Sequence, residues 1–284
     1  MIHRADLLVL GYAVAATGSV AVFGFSLLSV GIPAALWVAL LAEGIARPGS
    51  SLLYPTVTHG SREGCRVALS FDDGPDPEVT PAVLDALAQY GARATFFTIA
   101  RSLQAHPLLA RRIAEEGHEL GNHSWTHSRW QSFFPVHRQV EEIARSAQAI
   151  ATFTGSVSRS VAQPLFRPPV GVKSPRLVQA ARHLRLAVVA WSLHSQDTRT
   201  RDPQRLAQRV LKKIRPGDIV LLHDGHDLPG RHRPACAQAL PQILQGLRDK
   251  GLQCVTVSEL LCAAPRAVDN TRPLLAPSAR RSCP

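Results

Sequence analysis

The chain has 284 residues, of which 45% are apolar and 19% are charged, and its formal net charge is +11. These values exclude a disordered chain, a collagen-like repeat and a disulfide-rich miniprotein, and the length allows two domains or one large α/β domain with added segments. The basic excess favours acidic partners. Because no arginine-rich run is interleaved with aromatic residues, we expect no nucleic-acid partner.

The N-terminal part contains a long apolar run, Leu7–Ala42, without a single charged residue. One bilayer-spanning helix takes about 20 residues, so this run is too long for one span and slightly short for two. Gly24, Gly31 and Pro33 interrupt it near the middle. We therefore expect a transmembrane helical hairpin within a membrane-anchoring segment and linker, residues 1–64. A secretory signal and a buried helical hairpin are the alternatives.

This segment predicts a location in the bacterial inner membrane. Arginines flank the run on both sides, at Arg4 and at Arg47, and the expected turn carries no charge. By the positive-inside rule, two crossings would leave both ends of the hairpin in the cytoplasm. If the second helix does not cross, the rest of the chain lies outside, so the side of the membrane stays open.

The central segment, residues 65–262, alternates short apolar runs with amphipathic stretches. The runs predict strands at 67–71, 94–99, 118–121, 165–166, 186–191, 219–222 and 252–257. The amphipathic stretches predict helices at 80–90, 107–116, 136–153, 174–184, 203–214 and 234–250, with Thr80 as the N-cap of the first. This alternation indicates an α/β fold with a parallel sheet, open or closed into a barrel. The remainder, 263–284, lacks periodicity and predicts a disordered tail.

Polar clusters follow five of the predicted strands. They are Ser70–Pro75, Asn122–His127, Arg167–Gly171, Trp191–Asp197 and Leu221–Gly225. In parallel α/β sheets and barrels, functional residues gather at the carboxyl ends of the strands. We therefore expect all five clusters to lie on one face of the sheet.

Two of these clusters offer ligands for a metal. The adjacent carboxylates of Asp72 and Asp73 repel each other unless a cation or an arginine holds them, although a solvated capping pair is also compatible with them. His123 and His127 are four residues apart and can face one ion, or can be surface residues. With one aspartate added, they form a two-histidine, one-carboxylate face that leaves positions open for water and substrate.

Arg167 and His223 remain ambiguous when each is considered alone. Arg167 stands beside two prolines, which is also typical of a rigid surface turn. His223 follows an apolar strand and is also compatible with a buried structural histidine.

Taken in order, the motifs resemble those of a known enzyme family. They are Ser-Phe-Asp-Asp-Gly-Pro, His-Ser-x-x-His, Arg-Pro-Pro-Val-Gly, Trp-Ser-x-x-x-x-Asp and Leu-Leu-His-Asp. This set resembles the polysaccharide deacetylase family, also classed as carbohydrate esterase family four, over roughly Cys65 to Cys262. The resemblance implies a distorted seven-stranded β/α barrel that removes N-acetyl, or sometimes O-acetyl, groups from sugars.

Carried over position by position, the resemblance implies a divalent metal held by Asp73, His123 and His127. Zinc is the default ion, and cobalt, nickel or iron also suit such ligands. Asp72 would be the general base that takes a proton from the attacking water, and Arg167 would hold Asp72 in place.

The resemblance also implies the remaining roles. His223 would be the general acid that protonates the leaving nitrogen, the backbone N–H of Val170 would help to stabilise the oxyanion, and Leu221 would line the pocket for the acetyl methyl group. We expect Asp197 to be the partner of His223, and Trp191 to supply aromatic surface for the substrate.

The sequence departs from the family pattern at two places. The usual Asp-x-x-Asp-Trp of the fourth motif appears as His194-x-x-Asp197-Thr198, and Val170 occupies a position that is usually aromatic. Both changes indicate an altered substrate groove. They argue against long polymers as substrates more than they argue against hydrolytic activity.

The sequence thus predicts a membrane-anchored, metal-dependent carbohydrate deacetylase, a hydrolase acting on carbon–nitrogen bonds other than peptide bonds. Its substrate would be an amino sugar of a polysaccharide, an oligosaccharide or a lipid-linked saccharide. Two alternatives remain, an O-acetyl esterase using the same site and a non-catalytic carbohydrate-binding protein. The oligomeric state stays unpredicted.

Overall fold

The N-terminal segment forms two helices. A computed structural model describes residues 4–24, 26–154, 164–228 and 234–262, so the predicted disordered tail lies outside the described residues. Helix α1 is Arg4–Phe23 and helix α2 is Leu27–Ala46. The two helices contact each other, with the rings of Tyr12 and Trp37 5.6 Å apart.

The turn between the two helices falls at Gly24, the first of the three expected interruptions, whereas Gly31 and Pro33 lie inside α2. Ser26 caps α2, because its hydroxyl accepts the N–H of Ser29 while the Ser29 hydroxyl accepts the N–H of Ser26. Among the described residues, α2 is the one helix long and apolar enough to cross a bilayer. The apolar part of α1, Leu10–Phe23, is shorter. A helical hairpin is therefore observed, whereas a transmembrane hairpin stays a prediction.

The central segment forms a parallel sheet. Its strands are β1 (Thr56–Val57), β2 (Arg66–Asp72), β3 (Thr95–Thr98), β4 (Glu119–Asn122), β5 (Leu165–Phe166), β6 (Ala187–Val189), β7 (Leu193–His194), β8 (Ile219–His223) and β9 (Gln253–Cys254). The order is β1-β6-β5-β4-β3-β2-β8-β7, and β9 pairs with the start of β2. The pairing of these strands is parallel throughout.

Helices connect and cover these strands. They are α3 (Thr80–Gln89), α4 (Ala100–Ala105), α5 (Pro107–Glu115), α6 (Val136–Thr154), α7 (Pro175–His183), α8 (Pro203–Lys213), α9 (Pro234–Asp249) and α10 (Val257–Cys262). Strand β2 lies at the centre, with six of its seven residues buried. Leu69 and Phe71 point to a core that they share with residues of α3, α8 and α9. Burial on both faces explains why β2 is a continuous apolar run.

The sequence predicted the α/β class and the parallel sheet correctly, but not the full strand count. The structure is a half-barrel whose ends, β1 and β7, do not pair within the described residues, rather than a seven-stranded barrel. Strands β1 and β7 have two residues each, too few to show a periodicity. The predicted strand 252–257 ends at Cys254, and Val257 begins α10 instead. The N-cap of α3 is Val79 rather than Thr80.

Candidate active site

The register of the strands brings the five polar clusters to one edge of the sheet. Asp72 at the end of β2 is the register partner of His223 at the end of β8. On the other side, Asn122 at the end of β4 is the partner of Phe166, which directly precedes Arg167. Because all strands are parallel, their carboxyl ends form one rim. The chemistry-bearing side chains therefore meet there.

Asp73, His123 and His127 form a buried cluster at this rim. Asp73 Oδ1 lies 3.5 Å from His123 Nε2 and 3.3 Å from His127 Nε2. One ligand atom from each residue lies within 4.8 Å of the others. Asp73 and His127 both have positive φ, 73° and 53°, which is uncommon outside glycine and is typical of functional sites. The backbone is thus bent to bring the three side chains together.

The protonation of these residues fits a divalent cation. The Nδ1–H of His123 donates to the carbonyl of Arg167 at 2.7 Å, which leaves its Nε2 lone pair for a metal. Burial and the neighbouring His123 lower the pKa of His127 to about 4, so its imidazole is neutral. Burial acts to raise the pKa of Asp73, but the histidines beside it, including the charged His223, hold that pKa well below its usual range. A carboxylate and two imidazoles are suitable ligands for zinc and related ions.

Arg167 holds Asp72 beside the cluster. Its Nη1 donates to Asp72 Oδ1 at 2.6 Å, while the other carboxylate oxygen, Oδ2, lies 3.8 Å from His123 Nε2. The guanidinium has no exposed surface and also donates to Ser70 Oγ and to the carbonyls of Val189 and Ala190. These contacts fix the Asp72 carboxylate with one oxygen facing the cluster.

His223 and Asp197 form a second pair at the same rim, where His223 is the register partner of Asp72. The His223 Nδ1–H donates to Asp197 Oδ1 at 3.0 Å, and its backbone N–H donates to Oδ2 at 2.6 Å. Burial acts to lower the pKa of His223, but the charge and the hydrogen bond of Asp197 outweigh it and raise that pKa to about 9. The imidazole is therefore charged at neutral pH, and its Nε2–H remains available to donate a proton.

Comparisons with known proteins agree with this site. The sequence profile of the family described as "Polysaccharide deacetylase" matches residues 59–189. A peptidoglycan-N-acetylglucosamine deacetylase of Bacillus cereus is 38% identical over 198 residues, which are 69% of this chain and 87% of that protein. The chain belongs to the polysaccharide deacetylase family. The expectation from the five motifs is thereby confirmed.

Further relatives of this polysaccharide deacetylase support the same assignment. A chitooligosaccharide deacetylase of Bradyrhizobium sp. is 33% identical over 211 residues, covering 71% of this chain and 94% of that protein. The crystal structure of a peptidoglycan N-acetylglucosamine deacetylase bound to an N-hydroxybenzamide superposes with a TM-score of 0.66 at 29% identity, covering 74% of this chain and 94% of that one. The protein is thus a carbohydrate deacetylase, a hydrolase of carbon–nitrogen bonds, with an Asp-His-His group for a divalent metal.

The three residues predicted to contact substrate differ in their exposure and in their neighbours in this deacetylase. Val170 lies on the rim and is half exposed, with φ of 51°. Trp191 is partly buried, and its ring centroid lies 5.7 Å from the Arg167 guanidinium carbon and 5.8 Å from the His194 ring. Leu221 is buried in β8, in register with Ser70 and His194.

Two residues that support the site, Ser70 and Phe97, have no role that was predicted from the sequence. Ser70 accepts a hydrogen bond from Arg167, and the Phe97 ring lies 4.0 Å from the guanidinium carbon. Ser70 is two residues before Asp72 in β2, so the period of a strand places both on one face and was a usable signal. No sequence pattern indicated Phe97.

Proposed function

We propose that this protein hydrolyses the N-acetyl group of N-acetylglucosamine residues in cell-wall or chitin-like saccharides, using zinc. The observation that carries the proposal is the buried Asp73, His123 and His127 cluster with Asp72 on one flank and His223 in register with it. The substrate class is supported by the names of the relatives, which act on peptidoglycan and on chitooligosaccharides.

The proposed mechanism begins with substrate and water bound at the cluster. A divalent metal held by Asp73, His123 and His127 would supply a water of lowered pKa and a polarised carbonyl. Asp72 accepts the proton of the attacking water through the oxygen that Arg167 does not bind. The backbone N–H of Val170 donates to the oxygen that becomes negative as the carbon turns tetrahedral.

Collapse of the tetrahedral carbon then requires a proton on the departing nitrogen. Without that proton the nitrogen would have to leave as an amide anion, a far poorer leaving group than the alkoxide of an ester. His223 carries that proton at neutral pH because Asp197 raises its pKa to about 9. A proton donor that stays protonated at neutral pH favours amide over ester hydrolysis, because the nitrogen needs the proton more. Acetate and a free amino sugar are the products.

Membrane attachment through residues 1–64 is part of the proposal. Large apolar side chains on α2 are exposed in the protein, including Leu27, Leu28 and Leu36. A lipid environment would cover this surface. Resistance of the full chain to extraction from bacterial inner membranes by alkaline carbonate would support the attachment, and release into the soluble fraction would contradict it.

The function is tested with the full chain purified in detergent and loaded with zinc. Acetate release is followed on peptidoglycan fragments, on chitooligosaccharides, on a lipid-linked N-acetyl amino sugar and on an O-acetylated sugar. We expect release from N-acetylated substrates and none from His127→Ala. Release from the O-acetylated sugar alone would identify an esterase, and binding of saccharides without any release would identify a carbohydrate-binding protein.

A further inference from the structure

The loop that carries Val170 has a strained backbone. A φ of 51° at a β-branched residue is an outlier that persists only where the surroundings hold it. The direction of the Val170 N–H depends on this conformation. Both flanks of the loop must therefore be fixed.

The barrel fixes the first flank, through Arg167. Its backbone N–H donates to the carbonyl of Asn122 at 2.9 Å, which continues the pairing of β4 with β5. Its buried guanidinium bonds to Asp72 and to the carbonyls of Val189 and Ala190, at the end of β6 and directly after it. These hydrogen bonds of Arg167 therefore hold the start of the loop in place.

Lys173 fixes the second flank, mainly through residues 45–50 and with one further bond to Thr56 of β1. The backbone N–H of Lys173 donates to the carbonyl of Ile45, in the last turn of α2, at 3.0 Å. Its Nζ donates to the carbonyls of Pro48 and Ser50, each at 2.6 Å, and to the Thr56 hydroxyl at 3.1 Å. The three N–H donors of the ammonium thus have three acceptors.

The surroundings of Lys173 make this arrangement specific. The residue is 2% exposed, and the hydrogen bonds of its Nζ go to uncharged oxygens, while the Glu43 carboxylate acts on its pKa without bonding to it. A buried ammonium is costly unless all its hydrogen bonds are made, so residues 45–50 cannot move away without leaving the charge unpaired. The three hydrogen bonds of the Lys173 ammonium therefore join the loop to Pro48, Ser50 and Thr56.

Direct packing adds a second link between the loop and residues 45–50. A Cβ on Gly171, whose φ is 71°, would lie 2.7 Å from Pro48 Cγ and 3.0 Å from Trp191. Glycine at this position lets Pro48 pack against the backbone of the loop. Gly171 therefore packs between Pro48, in the chain leaving α2, and Trp191, at the rim of the sheet.

We propose that Lys173 and residues 45–50 position the Val170 N–H for catalysis, so that the chain leaving the apolar helix α2 is part of the catalytic unit. The inference rests on the proposed function, in which this N–H meets the developing oxyanion. Lys173 touches no reacting atom, and it acts by holding the strained loop from its second flank. The active-site rim is consequently attached to the end of α2.

The experiment compares Lys173→Met with two other variants of the full chain. Methionine keeps the length of the side chain but removes its donors, whereas Lys173→Arg keeps a charged donor. Tyr54→Phe is the matched control, because it removes a 3.0 Å bond from the same part of the chain to the Leu186 carbonyl without touching the loop. For each variant, kcat, KM, zinc content, the thermal midpoint and binding of a methylphosphonamidate analogue of the tetrahedral state are measured.

We expect Lys173→Met to lower kcat about 10 to 100-fold, since loss of an oxyanion donor costs about 100 to 1,000-fold and a misplaced donor retains part of its effect. KM and zinc content stay within twofold of wild type, and the phosphonamidate binds more weakly in proportion to kcat. Lys173→Arg recovers part of kcat, and Tyr54→Phe keeps all of it.

A Lys173→Met enzyme with unchanged kcat below its thermal midpoint would overturn the inference. So would a loss confined to KM or to zinc content, or an equal loss in Tyr54→Phe. If Lys173→Met does not fold, Lys173→Gln takes its place, and wild-type kcat with wild-type phosphonamidate binding in Lys173→Gln would overturn the inference. A zinc-loaded wild-type chain that releases no acetate would instead count against the proposed function.

Discussion

Asp72 and His223 are register partners at the ends of two adjacent parallel strands, β2 and β8. Each is held by a buried residue of opposite charge, Asp72 by Arg167 at 2.6 Å and His223 by Asp197 at 3.0 Å. The proposed proton acceptor and proton donor are therefore placed side by side on rigid strands rather than on mobile loops. Their distinct roles depend on these partners, which can be tested separately.

Replacing Asp72 should separate metal binding from catalysis. Asp72→Asn keeps the size of the side chain but cannot take a proton from water, so we expect acetate release to fall about 100 to 10,000-fold at normal zinc content. His127→Ala removes a ligand of the cluster and should lose both zinc and activity. Atomic emission on the dialysed proteins and an acetate assay measure the two effects. Normal turnover in either variant would refute the assigned roles.

The alkaline limit of activity should depend on Asp197. A general acid must carry its proton, so activity is present below the pKa of His223, about 9, and is lost as the pH rises through it. Asp197→Asn removes the negative charge that raises this pKa, and the alkaline limb of kcat/KM should move to lower pH. Full pH profiles of wild type and variant provide the measurement. An alkaline limb at the same pH in wild type and in Asp197→Asn would show that this limb does not report the titration of His223.

Removal of His223 should slow the reaction without removing the metal. We expect His223→Ala to reduce kcat about 100 to 10,000-fold on N-acetyl substrates. The loss should be smaller on an O-acetyl ester, because an alkoxide leaves with less assistance than an amine. An equal loss on both substrates, measured in parallel assays of acetate release, would show that proton donation by His223 does not set a preference for amides.

Removal of Arg167 should destabilise the fold as well as the site. Arg167→Met leaves the buried Asp72 carboxylate without its partner, a change that costs about 3–5 kcal/mol. Arg112→Met is the control, because that arginine pairs with Asp85 and Glu116 at a partly exposed site, where such pairs contribute about 1 kcal/mol or less. Unfolding free energies from urea titrations compare the two. Similar losses in both variants would show that Arg167 is not a buried ion-pair partner.

Acid should destabilise the protein partly through His118. Burial lowers the pKa of His118 to about 4 in the folded protein, against about 6.5 in the unfolded chain. The unfolded chain therefore binds more protons between these two values, so the contribution is fully present above pH 6.5 and is lost as the pH falls toward 4.

The matching variant is His118→Asn, whose amide oxygen can still accept the Ala94 N–H that His118 Nδ1 accepts at 3.3 Å. We expect it to lose less stability on acidification, with a difference of up to about 3 kcal/mol over this window. Unfolding free energies at several pH values measure the difference. Parallel pH dependences of variant and wild type would contradict a neutral buried His118.

The amino-acid sequence alone indicated the α/β class, the family and the face on which Asp72, His123, Arg167 and His223 lie. These conclusions depend on short motifs directly after apolar strands, and parallel strands bring their carboxyl ends to one edge whatever the details of packing. The turn at Gly24 was equally local. Features that depend on residues close together in the chain could therefore be predicted from periodicity and spacing.

The tertiary structure alone decided what supports these residues. The contact of Lys173 with Pro48 joins positions 125 residues apart, and that of Arg167 with Ser70 joins positions 97 apart. The two-residue strands β1 and β7 form only because longer neighbours supply their hydrogen bonds. No periodicity records such contacts, because they arise when the packed core has already brought distant segments together and buried charges must find the partners that remain within reach.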